Sequence, residues 1–257
     1  MLITSRNNQK IKDIIKLRES AAERERLGMY VVEGPRMVSE IPEADIVSVY
    51  VSESYLRKQS ANLTFESEKI IETQDIVFEK LSDTKNPQGI LAVVKMHYYD
   101  LSDIATGAPI LLLEGIQDPG NLGTMFRSGE AAGIGGLILD KNTVNPYNSK
   151  VIRSTMGAFL RVPHIISEDL SETIDTLKAA GYTIYAAHLK GERSFTEEKY
   201  ERAAFLIGNE GAGLSDKITE KADKLIKIPM EGAVESLNAA VSASLLVYEC
   251  HRQRWES

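Results

Sequence analysis

Pro109-Ile-Leu-Leu-Leu-Glu-Gly-Ile116 runs directly into Gln117-Asp-Pro-Gly-Asn-Leu-Gly-Thr-Met-Phe-Arg127. The first stretch is apolar without alternation, which is how a parallel strand covered on both faces reads. The second opens on Asp-Pro-Gly-Asn and then takes up a spacing that predicts a helix over 122–132. A helix that begins just after a buried strand offers free backbone N–H groups and a dipole that favours anions. Asn121 is expected near the N-cap, with Arg127 about one and a half turns further in. On these residues alone, a Pro-Gly turn with a capping asparagine and a surface arginine is an equal reading.

The same alternation continues on both sides. Downstream, strands are expected at 109–116, 136–140, 162–166, 183–189, 203–208 and 225–229. Helices are expected at 122–132, 149–160, 170–180, 215–222 and 237–252. Strands separated by helical patterns point to an α/β fold with a parallel sheet and crossover helices. Upstream, 1–100 reads as a small α/β unit. Ile11, Ile14, Ile15 and Ala22 sit at helical spacings. Strands are expected at 29–33, 46–51 and 89–94, and helices after Gly34-Pro35, at 53–62 and at 75–81. The pattern fades from His97 to Ala108, so the expected division is 1–100, a linker at 101–107, and 108–257.

Composition narrows the classes. The chain has 257 residues, 43% hydrophobic and 26% charged, with a net charge of −7, which is ordinary globular composition. No apolar run approaches the ~20 residues that span a bilayer. The first residues lack a signal-peptide hydrophobic stretch, and Cys250 is the single cysteine, so a reducing cytoplasm is the expected location. His97, His164, His188 and His251 are scattered and no metal site is expected. There is no phosphate loop of the G-x-x-x-x-G-K-[ST] type and no G-x-S-x-G elbow. Charge is uneven: residues 1–36 carry +3 and the remainder −10. That distribution permits contact with nucleic-acid phosphates through the amino-terminal part, but on charge alone a solvated helix is the better fit.

Two further stretches carry polar chemistry. Leu206-Ile-Gly-Asn-Glu-Gly-Ala-Gly-Leu-Ser215 follows another apolar strand. Its Gly208, Gly211 and Gly213 form G-x-x-G-x-G rather than the dinucleotide G-x-G-x-x-G, and they admit close backbone approach to a ligand. Asn209 and Glu210 then stand at a strand's carboxyl end, where open α/β sheets bind ligands. Ile228-Pro-Met-Glu-Gly-Ala-Val-Glu-Ser-Leu-Asn-Ala240 leads into the final helix, with Ser236 expected as its cap and Asn238 in its first turn. Singly, a glycine turn and a helix cap explain both stretches.

Taken together and in order, the three stretches resemble the SpoU (TrmH) branch of the SPOUT RNA methyltransferases. The resemblance rests on Asn121-Leu-Gly-Thr-Met-Phe-Arg127, Asn209-Glu-Gly-Ala-Gly213 and Pro229-Met-Glu-Gly-Ala-Val-Glu-Ser-Leu-Asn238. Lys150-Val-Ile-Arg-Ser-Thr-Met-Gly157 is similar to a stretch that the family places between the first two motifs. The likeness covers about 108–257. The amino-terminal part resembles the family's small RNA-binding domain through Glu33-Gly34 and Gln88-Gly-Ile-Leu-Ala92. Ala239 and Ala240 depart from the family, where a bulkier residue or a serine is common.

The resemblance implies a fold and an activity. The fold is a carboxyl-terminal parallel-sheet SPOUT domain with a deep trefoil knot, an exception to the rule against knots, preceded by a small α/β RNA-binding domain. The reaction is methyl transfer from S-adenosylmethionine to a ribose 2′-hydroxyl, in ribosomal RNA before transfer RNA, by a homodimer that needs neither metal nor membrane. Gly208, Asn209, Gly213, Ile228, Met230 and Leu237 would hold the cofactor. Arg127, Asn121, Glu210, Ser236 and Asn238 would serve catalysis, with Asn121 and Glu210 orienting Arg127. Arg6, Lys10, Arg18, Arg36, Lys150 and Arg153 would meet RNA phosphates. A noncatalytic RNA-binding relative and a Rossmann-type nucleotide enzyme are the competing classes. The first would have lost motif residues that are present here, and the second lacks its glycine fingerprint after Ile116.

Overall fold

The computed structural model describes residues 2–59, 65–234 and 236–255. Two compact units emerge, Met1–His97 with Asn145–Leu160, and Tyr98–Val144 with Arg161–Ser257.

The first unit contains β1 (Leu2–Ile3), α1 (Gln9–Glu19), α2 (Ala21–Leu27), β2 (Met29–Glu33), α3 (Pro35–Ser39), β3 (Ile46–Ser52), α4 (Glu53–Gln59), β4 (Ile70–Thr73), α5 (Asp75–Leu81) and β5 (Ile90–Lys95). Its sheet runs β1-β4-β3-β5-β2, parallel through β1, β4 and β3 and antiparallel across β5. Ile11, Ile14 and Leu17 of α1 and Val77, Phe78 and Leu81 of α5 share one apolar cluster with Val31, Tyr50, Leu91 and Val93. β1 and β4 escape a sequence reading because they are short and take their pairing from a neighbour, β4 from β3 and β1 from β4. The helix expected at 53–62 is seen over Glu53–Gln59, and 60–62 lie outside the described residues.

The second unit holds α6 (Leu101–Ile104), β6 (Ile110–Leu113), α7 (Pro119–Ala132) and β7 (Gly136–Leu139). After α8 (Ser149–Ser154), which packs with the first unit, it resumes with β8 (His164–Ile166), α9 (Leu170–Ala179), β9 (Thr183–Ala187) and β10 (Arg193–Ser194). β11 (Ala203–Ile207), α10 (Asp216–Thr219), β12 (Lys224–Lys227) and α11 (Ala239–Trp255) complete it. Seven strands pair in the order β10-β12-β9-β11-β6-β7-β8, every pair parallel. Ile110, Leu112, Ile138, Ala204 and Leu206 pack with α9 residues Ile174 and Leu177 on one face. Leu111, Leu113, Leu137, Leu139 and Phe205 are equally buried, so the unbroken apolar runs reflect cover on both faces. From β6 the chain runs to β7 on one side, while β11 lies on the other. The loops after β6 and β11 therefore flank a topological switch point.

The observed units differ from the single expected cut at 101–107. Segment 145–160 returns to the first unit for an aromatic reason: Tyr147 and Phe159 set their rings edge-on to Tyr30, at 5.2 and 5.5 Å between centroids. Ser149 and Arg153 also bond the Asp83 carboxylate, at 2.9 and 3.2 Å. The helix expected over 149–160 ends at Ser154, because Met156 (φ +52°) and Gly157 (φ +99°) turn left-handed. Among the described residues no helix is long and apolar enough to cross a membrane, and no three His, Cys, Asp or Glu side chains gather as a metal site.

Candidate active site

A cavity of about 610 Å³ opens at the carboxyl ends of β9, β11 and β12, a volume typical of cofactor pockets. All six expected cofactor residues line it: Gly208, Asn209, Gly213, Ile228, Met230 and Leu237. Glu210 and Ser236 line it too. Sequence reading missed Ala187, His188 and Leu189, which complete the wall after β9. Their one signal was position, at the carboxyl end of a strand beside β11.

The β11 loop folds back on itself. Asn209 and Gly213 exchange backbone hydrogen bonds of 3.0 and 2.9 Å. A Cβ on Gly208 would lie 2.3 Å from the Gly213 carbonyl carbon and the Leu214 nitrogen, so only glycine lets the loop close. The Asn209 side chain holds this turn together. Its Oδ1 accepts from Gly211 and Ala212 N–H at 2.9 Å each, and its Nδ2 donates to the Gly115 carbonyl at 2.7 Å. Asn209 thus shapes the pocket wall rather than offering a free amide to a ligand.

Beside the pocket, three motif side chains form a directional chain. The Glu210 carboxylate accepts from Asn121 Nδ2 (2.8 Å) and from the backbone N–H groups of Gln117 and Asp118 (both 3.3 Å). A carboxylate only accepts, so the Asn121 amide must turn its NH2 towards Glu210 and its oxygen away. That oxygen accepts from Asn238 Nδ2 at 2.9 Å. Asn238 Oδ1 is left to accept from Ala240 and Val241 N–H at the start of α11, at 2.9 and 3.2 Å. Partial burial acts to raise the Glu210 carboxyl, but the bonds from Asn121 and the loop backbone outweigh it and hold it below the usual carboxylate range.

Two expected caps move. Asp118, not Asn121, caps α7: its Oδ1 accepts from Asn121 N–H at 2.8 Å, and Pro119 takes the first helical position. Asn238, not Ser236, caps α11, as its bonds to Ala240 and Val241 require. Both shifts free the motif residues for other work, since Asn121 keeps its whole side chain for the relay.

Because α7 starts three residues early, Arg127 lies roughly two turns into it. It is exposed on the face shared with Gly120 and Thr124. Asn121 and Glu210, expected to orient Arg127, bond each other, and among the described residues neither hydrogen-bonds Arg127. Among the described residues Arg127 has no hydrogen-bond or ion-pair partner.

The six expected RNA-contacting residues all fall in the first unit, but they are not alike. Lys10 and Lys150 are exposed, and their ammonium groups have no partner among the described residues. Arg36 is 72% exposed beside Glu40 at 3.7 Å. Arg6 donates to the Ile76 carbonyl at 2.9 Å, and Arg153 pairs with Asp83. Arg18 is the exception. Its side chain is 13% exposed and donates to the Leu81 and Ser82 carbonyls at 2.7 and 2.8 Å, which closes the end of α5. The Glu33-Gly34 and Gln88-Gly89 marks meet across β2 and β5. Gly34 (φ +105°) donates to the Ile90 carbonyl at 3.0 Å, and a Cβ there would lie 2.7 Å from Gln88 Oε1.

Residues 108–248 match the SpoU rRNA Methylase family, and residues 8–92 match the MRM3-like substrate binding domain. The 23S rRNA (guanosine(2553)-2'-O)-methyltransferase RlmP of Bacillus subtilis is 34% identical over 96% of this chain and 97% of its own length. Among solved structures, an S-adenosylmethionine-bound rRNA methyltransferase from Sinorhizobium meliloti superposes with a TM-score of 0.86 at 28% identity. That match covers 98% of this chain and 97% of the other. The SpoU methyltransferase AviRb from Streptomyces viridochromogenes, in complex with the same cofactor, gives 0.85 at 26% identity over 98% and 100%. Two motif loops line one cavity and the first motif is tied to both through Asn121; on a fold shared end to end with such proteins, the chain belongs to the SpoU rRNA methylase family.

Proposed function

We propose that this protein transfers the methyl group of S-adenosylmethionine to a ribose 2′-hydroxyl of ribosomal RNA. The observation that carries the reading is the Asn238–Asn121–Glu210 relay standing beside a cavity whose wall closes only with glycine at 208. The residues fit the cofactor: the β11 and β12 loops present backbone groups and the apolar Ile207, Leu214, Met230 and Leu237. When bound, S-adenosylmethionine supplies an electrophilic methyl carbon.

The chain's part is alignment and electrostatics. Glu210 stays ionised and fixes Asn121, which fixes Asn238 and with it the start of α11. Ser236 and Asn238 position the ribose or close the cofactor pocket. The Arg127 guanidinium acts as a cation that grips a phosphate and stabilises negative charge developing on the ribose oxygen. Holding the reactants in line supplies about 7–11 kcal/mol at the upper end. Lys10, Arg36 and Lys150 of the first unit meet phosphates.

The protein works as a homodimer in the cytoplasm, with the trefoil knot of its family. Val241, Leu245 and Tyr248 fall at i, i+4 and i+7 of α11 and are 46, 38 and 47% exposed, an apolar stripe that a second copy would cover. Leu246, the next residue after Leu245, is fully buried inside the unit and lies off that stripe. Leu245→Glu should turn a dimer in sedimentation equilibrium into a monomer; a parent protein that sediments as a monomer rules the dimer out.

The activity is tested with methyl-labelled cofactor and unmodified transcripts of 23S ribosomal RNA and transfer RNA. Label recovered as a 2′-O-methylnucleoside from the ribosomal transcript is expected. Label on transfer RNA alone moves the target, and label on neither removes the reading.

A further inference from the structure

The loop that leads from β6 into α7 is held by a polar cluster that lies outside the three motifs. Asp140, directly after β7, is 9% exposed, and Thr143 is 8% exposed. Asp140 Oδ1 accepts from Gly115 N–H (2.9 Å), Thr143 N–H (2.8 Å) and the Thr143 hydroxyl (2.7 Å), and Oδ2 accepts from Asn142 Nδ2 (3.1 Å). The Thr143 oxygen in turn accepts from Ile116 N–H at 3.2 Å, and Val144 N–H donates to the Ile116 carbonyl at 2.8 Å. Gln117 adds an outer clip by donating its amide to the Asn142 carbonyl.

The two ends of this loop are therefore clamped by different carboxylates. Asp140 holds Gly115, and through Thr143 it holds Ile116. Glu210 holds Gln117 and Asp118. Asp118 caps α7, the helix that carries Asn121 and Arg127. Only the Glu210 clamp is part of the motif site. The buried one is rigid by construction, because a buried N–H left without its acceptor is costly.

We propose that Asp140 and Thr143 are positioning residues for methyl transfer, setting the height of α7 and hence the placement of Arg127 over the reacting ribose. The proposal rests on the methyltransferase reading above. Misplacement of a reactive group by about 1 Å can cost a hundredfold in rate, so a loosened loop should show in the chemical step before it shows in cofactor binding.

The test is single-turnover transfer to unmodified 23S ribosomal RNA, with cofactor affinity by calorimetry and thermal unfolding measured on the same samples. Thr143→Val removes the acceptor of Ile116 N–H, and the rate should fall roughly tenfold with cofactor Kd within about twofold of the parent. Thr143→Ser keeps the hydroxyl and should restore most of the rate. Gln117→Ala, at an exposed position, keeps the protein folded and should cost a smaller part of the same rate. Parent-like rates in both Thr143→Val and Gln117→Ala overturn the proposal. So does a rate loss that only tracks lost cofactor binding or lost folding. No transfer by the parent protein overturns the underlying reading itself, and the proposal with it.

Discussion

The motif loops of the second unit and the cationic surface of the first use polar residues in opposite ways. In the loops, Asn121, Glu210, Asn238, Asn209 and Asp140 bond mainly to one another and to loop backbone, each donor facing a defined acceptor. On the cationic surface, the same residue type does different jobs a few positions apart. Arg18 closes a helix end, Arg24 is 4% exposed and donates to the Leu17 and Arg18 carbonyls, and the Lys10 ammonium faces solvent with no partner among the described residues. Residue type says what a side chain can bind. Only its partners say whether it is still available.

Arg127 breaks the pattern of its own region, being a cation with no hydrogen-bond or ion-pair partner among the described residues. If that availability serves the transition state, Arg127→Ala should lower single-turnover methyl transfer by two to three orders of magnitude, about 2.7–4 kcal/mol of barrier. Cofactor affinity and thermal stability should stay close to the parent, because no described residue hydrogen-bonds or ion-pairs with the guanidinium. Arg127→Lys should rescue poorly, since a compact ammonium lacks the planar fork. Near-parental turnover in Arg127→Ala would return it to the class of solvated surface cations.

A smaller effect probes the saturated side of the comparison. Glu210→Gln puts an NH2 where the relay needs an acceptor, so the Asn121 amide loses its fixed direction. Roughly a tenfold loss in rate is expected, in line with one disturbed positioning group. The pH dependence has a definite sign. A carboxyl held below its ordinary value contributes stability that is present above that value and is lost as pH falls through the lowered one. Unfolding midpoints of the parent should therefore drop on the acid side of the usual carboxylate range, and Glu210→Gln should flatten part of that drop. An unchanged acid limb would mean that the network does not favour the charged form.

How much of this was legible in the sequence follows the same divide. The runs at 110–113, 136–139 and 203–207 announced central strands because both of their faces are buried, and burial acts on residue type. β1, β4 and β10 did not, since a two- to four-residue strand owes its existence to a neighbour's free edge. The pocket residues of the second and third motifs were legible through the family resemblance, while Ala187, His188 and Leu189 were not. The caps were misread because Asp118 and Asn121 are both competent and three residues apart; Pro119, at home in a first helical turn, was the signal that decides between them. Asp140 and Thr143 had no signal, for nothing in their spacing says that they meet Gly115 and Ile116. The return of 145–160 to the first unit was hidden in single aromatics, Tyr30, Tyr147 and Phe159, that show no pattern along the chain.

The last contrast separates Lys10 and Lys150 from Arg18, three cations that a charge count treats alike. Each free lysine that meets a phosphate releases counterions, so log affinity should fall with log salt by roughly 0.7–0.9 per contact. Lys10→Ala with Lys150→Ala should therefore weaken RNA binding at low salt and flatten the salt dependence by about 1.4–1.8, while the unfolding midpoint stays near the parent. Arg18→Met should do the reverse. It removes a nearly buried donor from the Leu81 and Ser82 carbonyls and should cost about 1.5–3 kcal/mol of stability, the scale of a hydrogen bond from a charged group. The salt slope of the folded Arg18→Met protein should match the parent's. Filter binding of 23S ribosomal RNA across a salt series, paired with thermal unfolding, measures both. A flattened slope in Arg18→Met would put that guanidinium on the RNA after all, and an unchanged slope in the double lysine variant would make the free lysines a solvated face.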